Sequence, residues 1–385
     1  MSRRAAPVVI PGLDVAKAKR YNRTKLRLLI VSLVWSVAKM IWLARGQRSR
    51  RLQQRTAKLV PDARLAEPAF FGIATILSWL SSLPLAYLAG HRVERRYDLT
   101  KQTDTSWLGD QIKGLAVGLV LQVPLMIGAY AVIRRRPRDW WVLLSAATVP
   151  LTVILVNLAP VLIMPLFNTF ERLQDARLVE RIERLAGRAG VAIAGVFAMD
   201  MSRQSEKPNA FFTGIGNTKR IVLGDTLVDK FTPEEVEGVV AHELGHQVHG
   251  DIWRLIAFGT SLTVAGAYAI YRLAPPLVRR TAHETGVHDL GDAASLPLLA
   301  LVGTAVGFVS APMQAAFSRA IERRTDRYAL DLTENGAAYA SAMERLAALS
   351  LTDPDPSPAE VFFLYSHPPI GDRIRAAREF ARGSG

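Results

Sequence analysis

The stretch "VVAHELGHQVHGD", residues 239–251, is the most informative segment of this 385-residue chain. It holds three of the seven histidines, and two of them, His242 and His246, enclose Glu243 in the pattern H-E-x-x-H. Residues four apart share one face of an α-helix, so both imidazoles can point at one ion. In zinc peptidases this pattern supplies two ligands and a glutamate that acts on water held by the ion. The stretch therefore predicts a zinc site.

The residues ahead of the motif predict the helix that the zinc site requires. Thr232 is a favourable N-cap residue, Pro233 suits the first helical position, and Glu235 completes a capping box. The motif then lies inside the helix, after its first two turns. A chance match on an exposed helix is the alternative, and the cap favours the zinc interpretation.

Composition limits how a metal can be held and which partners are expected. The chain contains no cysteine, so zinc has to be bound by histidine and carboxylate. Half of the residues are hydrophobic, and the net charge is +14. The basic clusters lie beside apolar runs rather than on one domain face, which is typical of membrane flanks. We therefore expect a lipid bilayer as partner and no nucleic acid.

Six apolar stretches are long enough, or nearly so, to cross a bilayer, which requires about 20 residues. They are residues 28–44, 69–89, 115–133, 141–163, 254–272 and 295–317. The first contains Lys39, and an interfacial helix is the alternative there. The pattern predicts a mostly α-helical, polytopic membrane protein with about six spans.

The spans divide the chain into four predicted regions. They are an N-terminal membrane region with about four spans (1–170), a soluble metalloprotease part with the H-E-x-x-H helix (171–253), a transmembrane hairpin (254–317) and a C-terminal part that completes the zinc site (318–385). The soluble part is expected to hold an amphipathic helix that ends near Gly190. A strand in 191–200 and two strands around a Gly-Asn turn in 209–228 predict a small β-sheet.

A catalytic zinc site needs a third protein ligand, and here it must be His, Asp or Glu. Glu322 is the best candidate, and Asp326, four residues later on the same helical face, can accept the free N–H of a ligand histidine. A solvated face is the alternative, because three arginines run alongside. The predicted hairpin returns the chain to its starting side, so Glu322 and His242 are expected on one side of the membrane.

Several segments occur together in an order that resembles one family. They are "VERRYDLTKQTDTSWLGDQIKG" (93–114), "IMPLFNTFERL" (163–173), "NAFFTGIGNTKRIVLGDTLV" (209–228), "HELGH" (242–246), "SRAIERRTD" (318–326) and "YSHPP" (365–369). Together they resemble the integral-membrane zinc endopeptidases that include the type I CAAX prenyl protease and the bacterial heat-shock protease HtpX. The first of these segments is more similar to the CAAX branch than to HtpX.

The resemblance implies a gluzincin-like zinc peptidase domain with one zinc ion per chain. His242, His246 and Glu322 would bind the ion, and Glu243 would be the catalytic carboxylate. Asp326 would support a ligand histidine from behind. These assignments agree with the helical spacing of the motif.

The resemblance also implies where a substrate lies. Asn209 and Ala210 would belong to the strand that pairs with an extended substrate backbone, and Arg373 would sit near the metal cleft. His367 would donate to the tetrahedral oxyanion, which is a favourable electrostatic role for a hydrogen-bond donor. A loop histidine ahead of two prolines, without a catalytic role, is the alternative for His367.

The favoured function is a membrane-embedded, CAAX-protease-like zinc endopeptidase in which Glu243 activates a zinc-bound water to hydrolyse peptide bonds. A quality-control protease of HtpX type is one alternative. A non-catalytic zinc-binding membrane scaffold is another, although a structural site has no use for Glu243. Peptide or protein substrates are expected, and the oligomeric state is not predicted.

Orientation and span count complete the expectations. Basic residues near the membrane number 13 on the side of the N-terminus and 11 on the opposite side, so the positive-inside rule hardly discriminates. The resemblance implies a zinc site that faces the cytoplasm. The eukaryotic prenyl proteases have seven spans around a large water-filled chamber, whereas six are counted in this sequence.

Overall fold

The computed structural model describes residues 8–214 and 219–383, and helices dominate it. The α-helices of the N-terminal part are α1 (Val15–Ala44), α2 (Arg48–Leu59), α3 (Ala63–Tyr87), α4 (Val93–Arg96), α5 (Asp104–Arg135) and α6 (Trp140–Leu158). Those that follow are α7 (Ala176–Arg188), α8 (Asp225–Lys230), α9 (Pro233–Val248), α10 (Asp251–Thr285), α11 (Leu296–Thr333), α12 (Gly336–Ser350), α13 (Pro358–Leu364) and α14 (Ile370–Gly383).

Five helical segments of the described residues are long and apolar enough to cross a membrane. They are Val15–Leu59, Ala63–Arg96, Asp104–Arg135, Trp140–Leu166 and Ala293–Thr333. Five of the six predicted spans lie within them. The remaining stretch, 254–272, lies in the long helix α10 but is bracketed by Arg254 and Arg272. The uncharged stretch between these arginines is shorter than the roughly 20 residues that a span needs.

Lys39 is accommodated inside α1 by hydroxyl groups of α3. Its ammonium group donates to Ser78 Oγ at 2.9 Å and to Ser81 Oγ and Ser82 Oγ, each at 3.1 Å. The same lysine lines an open cavity of about 870 Å³ to which α1, α3, α5 and α11 contribute. Because the charge has polar partners within the helix bundle, α1 can serve as a span despite its lysine.

A four-stranded sheet lies between the fourth span and the H-E-x-x-H helix. Its strands are β1 (Phe170–Arg172), β2 (Val196–Met199), β3 (Ala210–Thr213) and β4 (Arg220–Gly224), in the order β1-β2-β4-β3. The central pair β2–β4 is parallel, and the outer pairs are antiparallel. The predicted small sheet is confirmed, with β1 as an additional strand. The predicted Gly-Asn turn lies outside the described residues.

The amphipathic helix predicted to end near Gly190 is α7. It ends two residues earlier, at Arg188, and Gly190 adopts a positive φ of 68° in the turn that follows. Together with α9, α11, α12 and α14, α7 forms the main hydrophobic core against the sheet. This core fixes the position of α9 and thereby of the histidines.

Residues of the membrane region form hydrogen bonds and an ion pair with the segment just ahead of β3. Thr100 Oγ1 donates to the Gln204 carbonyl at 2.7 Å, and the Glu206 N–H donates to the Leu99 carbonyl at 2.9 Å. Lys207 pairs with the buried Glu94 at 2.9 Å. The segment that leads into β3 is therefore anchored to the loop that precedes α5, and β3 itself pairs with β4.

Candidate metal centre

Helix α9 begins as its sequence predicts. Thr232 is the N-cap, Pro233 occupies the first turn, and the reciprocal hydrogen bonds of a capping box join Thr232 to Glu235. His242 and His246 therefore lie one turn apart, with ring centroids separated by 4.8 Å. The local sequence alone is sufficient to place these two rings on one face.

The third member of the site comes from α11. Ligand atoms of His242, His246 and Glu322 all lie within 4.8 Å of one another. Glu322 Oε2 lies 3.1 Å from His242 Nε2, and its Oε1 lies 3.6 Å from His246 Nε2. The structure thus brings the three predicted ligands together from two helices that are far apart in sequence.

Each histidine has a carboxylate on its outer nitrogen. His242 Nδ1 lies 2.9 Å from Asp326 Oδ1, and His246 Nδ1 lies 3.0 Å from Asp251 Oδ2. A carboxylate only accepts hydrogen bonds, so the proton of each neutral ring is assigned to Nδ1. Both Nε2 atoms then present lone pairs towards Glu322.

This donor set fits a cation. Two imidazole lone pairs and the Glu322 carboxylate face one another, and Glu322 Oε2 is buried without a hydrogen-bond donor among the described residues. Acceptors in such proximity repel unless a positive charge lies between them. Two histidine nitrogens and one carboxylate oxygen, with room for one further ligand, are the donor set of catalytic zinc sites.

Asp326 is held on its other side by two further residues. Arg373 donates to both of its carboxylate oxygens, at 2.9 and 2.6 Å, and the Tyr339 hydroxyl donates to Oδ1 at 2.6 Å. The structure therefore places Arg373 behind His242, where only 11% of its side chain is exposed. Arg373 is thus linked to His242 through Asp326.

The Glu243 carboxylate differs from the neighbouring carboxylates because it has no partner among the described residues. Its side chain is partly buried and forms no hydrogen bond or ion pair with any residue of the described ranges. Burial raises the pKa of its carboxyl group, and the two adjacent histidines oppose that rise. A carboxylate with a raised pKa and no partner is suited to accept a proton.

His367 reaches the site from the loop between α13 and α14. Its Nε2 lies 3.4 Å from Glu322 Oε1, and its Nδ1 lies 2.9 Å from Ser366 Oγ. About half of the side chain remains exposed, at 53%. His367 is therefore the most exposed of the four side chains that meet at Glu322.

Asn209 and Ala210 mark the start of the edge strand β3. Ala210 pairs with Leu223 of β4, and the Asn209 carbonyl accepts from the Gly224 N–H at 2.9 Å. Strand β3 packs against α9 and, among the residues that the structure describes, has a sheet partner on one side only. Its other edge is the place where an extended chain can add to the sheet.

Asp251 is a site residue that the sequence analysis does not assign. It is the last residue of the stretch 239–251, so the signal for it is present in the sequence. It lies five residues after His246, and residues five apart do not share a face of a continuous helix. Only the break between α9 and α10 brings the two side chains together.

Two ranges of this chain match known protein families. Residues 172–381 match the family described as Peptidase family M48, and residues 8–169 match "CAAX prenyl protease N-terminal, five membrane helices". Within that second range the structure has four segments that are long and apolar enough to span a membrane. The order of the two matches is the order of the membrane helices and the metal cluster along this chain.

Two relatives and one solved structure cover nearly the whole chain. The uncharacterized metalloprotease YhfN of Bacillus subtilis (strain 168) is 32% identical over 371 residues, which are 95% of this chain and 86% of the relative. CAAX prenyl protease 1 of Saccharomyces cerevisiae is 26% identical over 392 residues, 94% of this chain and 84% of that protein. A crystal structure of Ste24p from S. mikatae superimposes with a TM-score of 0.86 at 24% identity, covering 98% of this chain and 92% of that one.

The family match extends over more than half of the chain, and the bacterial relative is matched over most of its own length. The bacterial relative is named a metalloprotease, and the second family model describes five membrane helices. The family name implies a bound metal and peptide or protein substrates. The chain therefore belongs to peptidase family M48 and is an integral-membrane metalloprotease.

Proposed function

We propose that the chain is a zinc endopeptidase in which His242, His246 and Glu322 hold one ion and Glu243 is the general base. The observation that carries this proposal is the convergence of two imidazole lone pairs on the buried carboxylate of Glu322, whose Oε2 has no hydrogen-bond donor among the described residues. Glu243 lies next to His242 in the same helix and is uncommitted. A purely structural site would gain nothing from such a carboxylate.

The catalytic steps follow from the side chains. When bound, zinc acts as a Lewis acid that polarises the scissile carbonyl and acidifies water. Glu243 accepts the proton of the attacking water and delivers it to the leaving amine. The raised pKa of Glu243 increases its basicity, and no side chain of the described residues competes for its oxygens.

His367 is proposed to stabilise the oxyanion. Its open position is where negative charge develops on a substrate bound over the cluster. The Ser366 hydroxyl, 2.9 Å from His367 Nδ1, can donate to that nitrogen and so keep the ring proton on Nε2. The proton is then on the nitrogen that faces the site.

The substrate is proposed to bind as an extended strand along β3, beginning beside Asn209 and Ala210. Main-chain hydrogen bonds at a sheet edge supply affinity that depends little on sequence. Arg373 contributes indirectly, because it holds Asp326 in place behind the proposed zinc ligand His242. Specificity then has to come from side-chain pockets beyond the strand.

We propose a CAAX-type C-terminal processing activity as the physiological reaction. The support is the match to the prenyl protease N-terminal family and to relatives named CAAX prenyl protease 1. The two family matches meet at residues 169–172, which supports a division into a membrane region, 1–170, and a peptidase region from 171 onward. The zinc site is proposed to face the cytoplasm.

The test uses full-length protein in liposomes and a matched pair of peptides. The two peptides share one sequence ending in a CAAX motif, and only one carries a farnesyl group on its cysteine. We expect the wild type to release the last three residues of the prenylated peptide at least about ten-fold faster, and Glu243→Ala to release none. Equal cleavage of both peptides together with an unfolded protein would favour a quality-control protease. Full zinc content without hydrolysis of any substrate would favour a scaffold.

A further inference from the structure

Asp251 occupies an unusual position for a charged residue. It is the first residue of α10, and only 1% of it is exposed. Its Oδ2 lies 3.0 Å from His246 Nδ1 and accepts from Thr325 Oγ1 at 3.3 Å. Its Oδ1 accepts from the guanidinium of Arg324. A buried carboxylate therefore has three partners, and one of them is a proposed zinc ligand.

The chain path explains how Asp251 reaches His246. Helix α9 ends at Val248, and Gly250 adopts a positive φ of 63° before α10 begins. This left-handed turn redirects the chain, so that the next residue folds back over the last turn of α9. A residue other than glycine would be strained at this φ. The glycine turn and the buried acid thus form one unit.

The hydrogen bond from His246 has a defined chemical consequence. A carboxylate on Nδ1 holds the imidazole in one tautomer and orientation and raises the basicity of Nε2, the atom that would bind the metal. The charge of Asp251 is compensated by Arg324, which keeps a buried anion tolerable. Because Arg324 and Thr325 belong to α11, Asp251 also ties the His246 ring to the helix that carries Glu322.

A purely structural role is the competing explanation. An aspartate in the first turn of a helix interacts favourably with the helix dipole, and the pair with Arg324 joins α10 to α11. That role predicts a loss of stability when Asp251 is changed, but no change at the metal. His242 has a carboxylate on its Nδ1 atom, that of Asp326. Without Asp251, the ring of His246 would have no such partner.

We infer that Asp251 is a positioning residue that orients His246 and sets the affinity of the site for its metal. The inference rests on the proposed zinc site. It assigns to the α9–α10 junction a function that the H-E-x-x-H pattern does not include. It also couples the metal to both helices of the hairpin formed by α10 and α11.

The test measures metal binding by full-length protein purified in detergent. Zinc affinity is obtained by competition with a chelator, the visible spectrum is recorded with cobalt in place of zinc, and thermal unfolding is followed without metal. The variants are Asp251→Asn, which preserves shape, and Asp251→Ala. Asp331→Asn is the matched control, since it removes an exposed ion pair of α11 with Arg327.

We expect both Asp251 variants to bind zinc about 10- to 100-fold more weakly and to alter the cobalt spectrum. The control should keep the affinity and spectrum of the wild type. Unchanged zinc affinity and spectrum in Asp251→Asn, with or without a lower melting temperature, would overturn the inference. His246→Ala separates the two proposals: if that variant keeps its full zinc affinity, the zinc site is wrong, whatever Asp251 does.

Discussion

At the scale of residues, the site contains an excess of negative charge that a divalent ion would balance. Its four buried or partly buried carboxylates belong to Glu243, Asp251, Glu322 and Asp326. Two guanidinium groups compensate part of this charge, those of Arg324 and Arg373. With neutral histidines, two negative charges remain, and one zinc ion would neutralise them. Clustered uncompensated carboxylates are costly in a buried site, so this charge balance favours a bound cation.

Glu322 and Asp326, which contact different nitrogens of His242, should contribute unequally to zinc binding. Glu322→Ala removes a proposed ligand and should abolish stoichiometric zinc binding. Asp326→Asn leaves the ligands in place and should weaken zinc affinity by about 10- to 100-fold, because only the support of His242 is lost. Metal analysis of the purified variants and chelator competition measure the two effects. A Glu322→Ala protein with full zinc content would rule out this carboxylate as the third ligand.

At the scale of elements, the close approach of α9 and α11 explains the glycine of "HELGH". A Cβ atom on Gly245 would lie 2.9 Å from Thr325 Cγ2 and 3.0 Å from Tyr328 Cδ1. Both distances are shorter than normal packing allows. The zinc helix can therefore approach the helix of Glu322 only because this position lacks a side chain. Thr325 also donates to Asp251, so the contact is continuous with the support of His246.

Gly245→Ala should therefore destabilise the fold by about 1–3 kcal/mol through overpacking. Gly187→Ala is the matched control, because Gly187 lies in α7 with no atom within 4 Å of its added Cβ. The control should be neutral or stabilised by up to about 1 kcal/mol, owing to the higher helix propensity of alanine. Thermal unfolding of both variants provides the comparison. A Gly245→Ala protein as stable as the control would refute the close-packing explanation.

Local sequence signals predict the helices and most of the strands. Features that depend on a helix break or on contacts between residues distant in sequence are not predicted. The capping box at Thr232 and the H-E-x-x-H spacing are local, and both appear in α9 as expected. The strand Phe170–Arg172 was not predicted, since three residues carry no alternation pattern and pair only with a distant strand. Asp251 was missed because the helix break, rather than helical periodicity, places it. The contact between Arg373 and Asp326 spans 47 residues and has no local signature.

At the scale of the whole molecule, the spans determine which side the peptidase region faces. Four spans precede the sheet, so the N-terminus and the zinc site are expected on the same side. Helix α10 is the element to examine, because it is long but lies outside the five apolar segments. If α10 crosses as predicted, α11 returns the chain and the C-terminus joins them.

Topology reporters test this arrangement directly. Reporters fused at residue 1 and at the C-terminus should both be active in the cytoplasm, and a reporter in the 45–62 connection should be active outside it. Four spans before the peptidase region place residue 1 on the same side as the proposed cytoplasmic zinc site. The pair of predicted crossings by α10 and α11 returns the C-terminus to that side. A C-terminal reporter active only outside the cytoplasm would reverse the assigned orientation.

Glu243→Gln tests most directly whether this metalloprotease hydrolyses peptide bonds with Glu243 as its base. The substitution preserves shape and leaves His242, His246 and Glu322 intact. We predict stoichiometric zinc in the purified variant and a loss of peptide hydrolysis of at least about 100-fold, in line with the removal of a general base. Turnover close to that of the wild type, with zinc bound, would contradict the account.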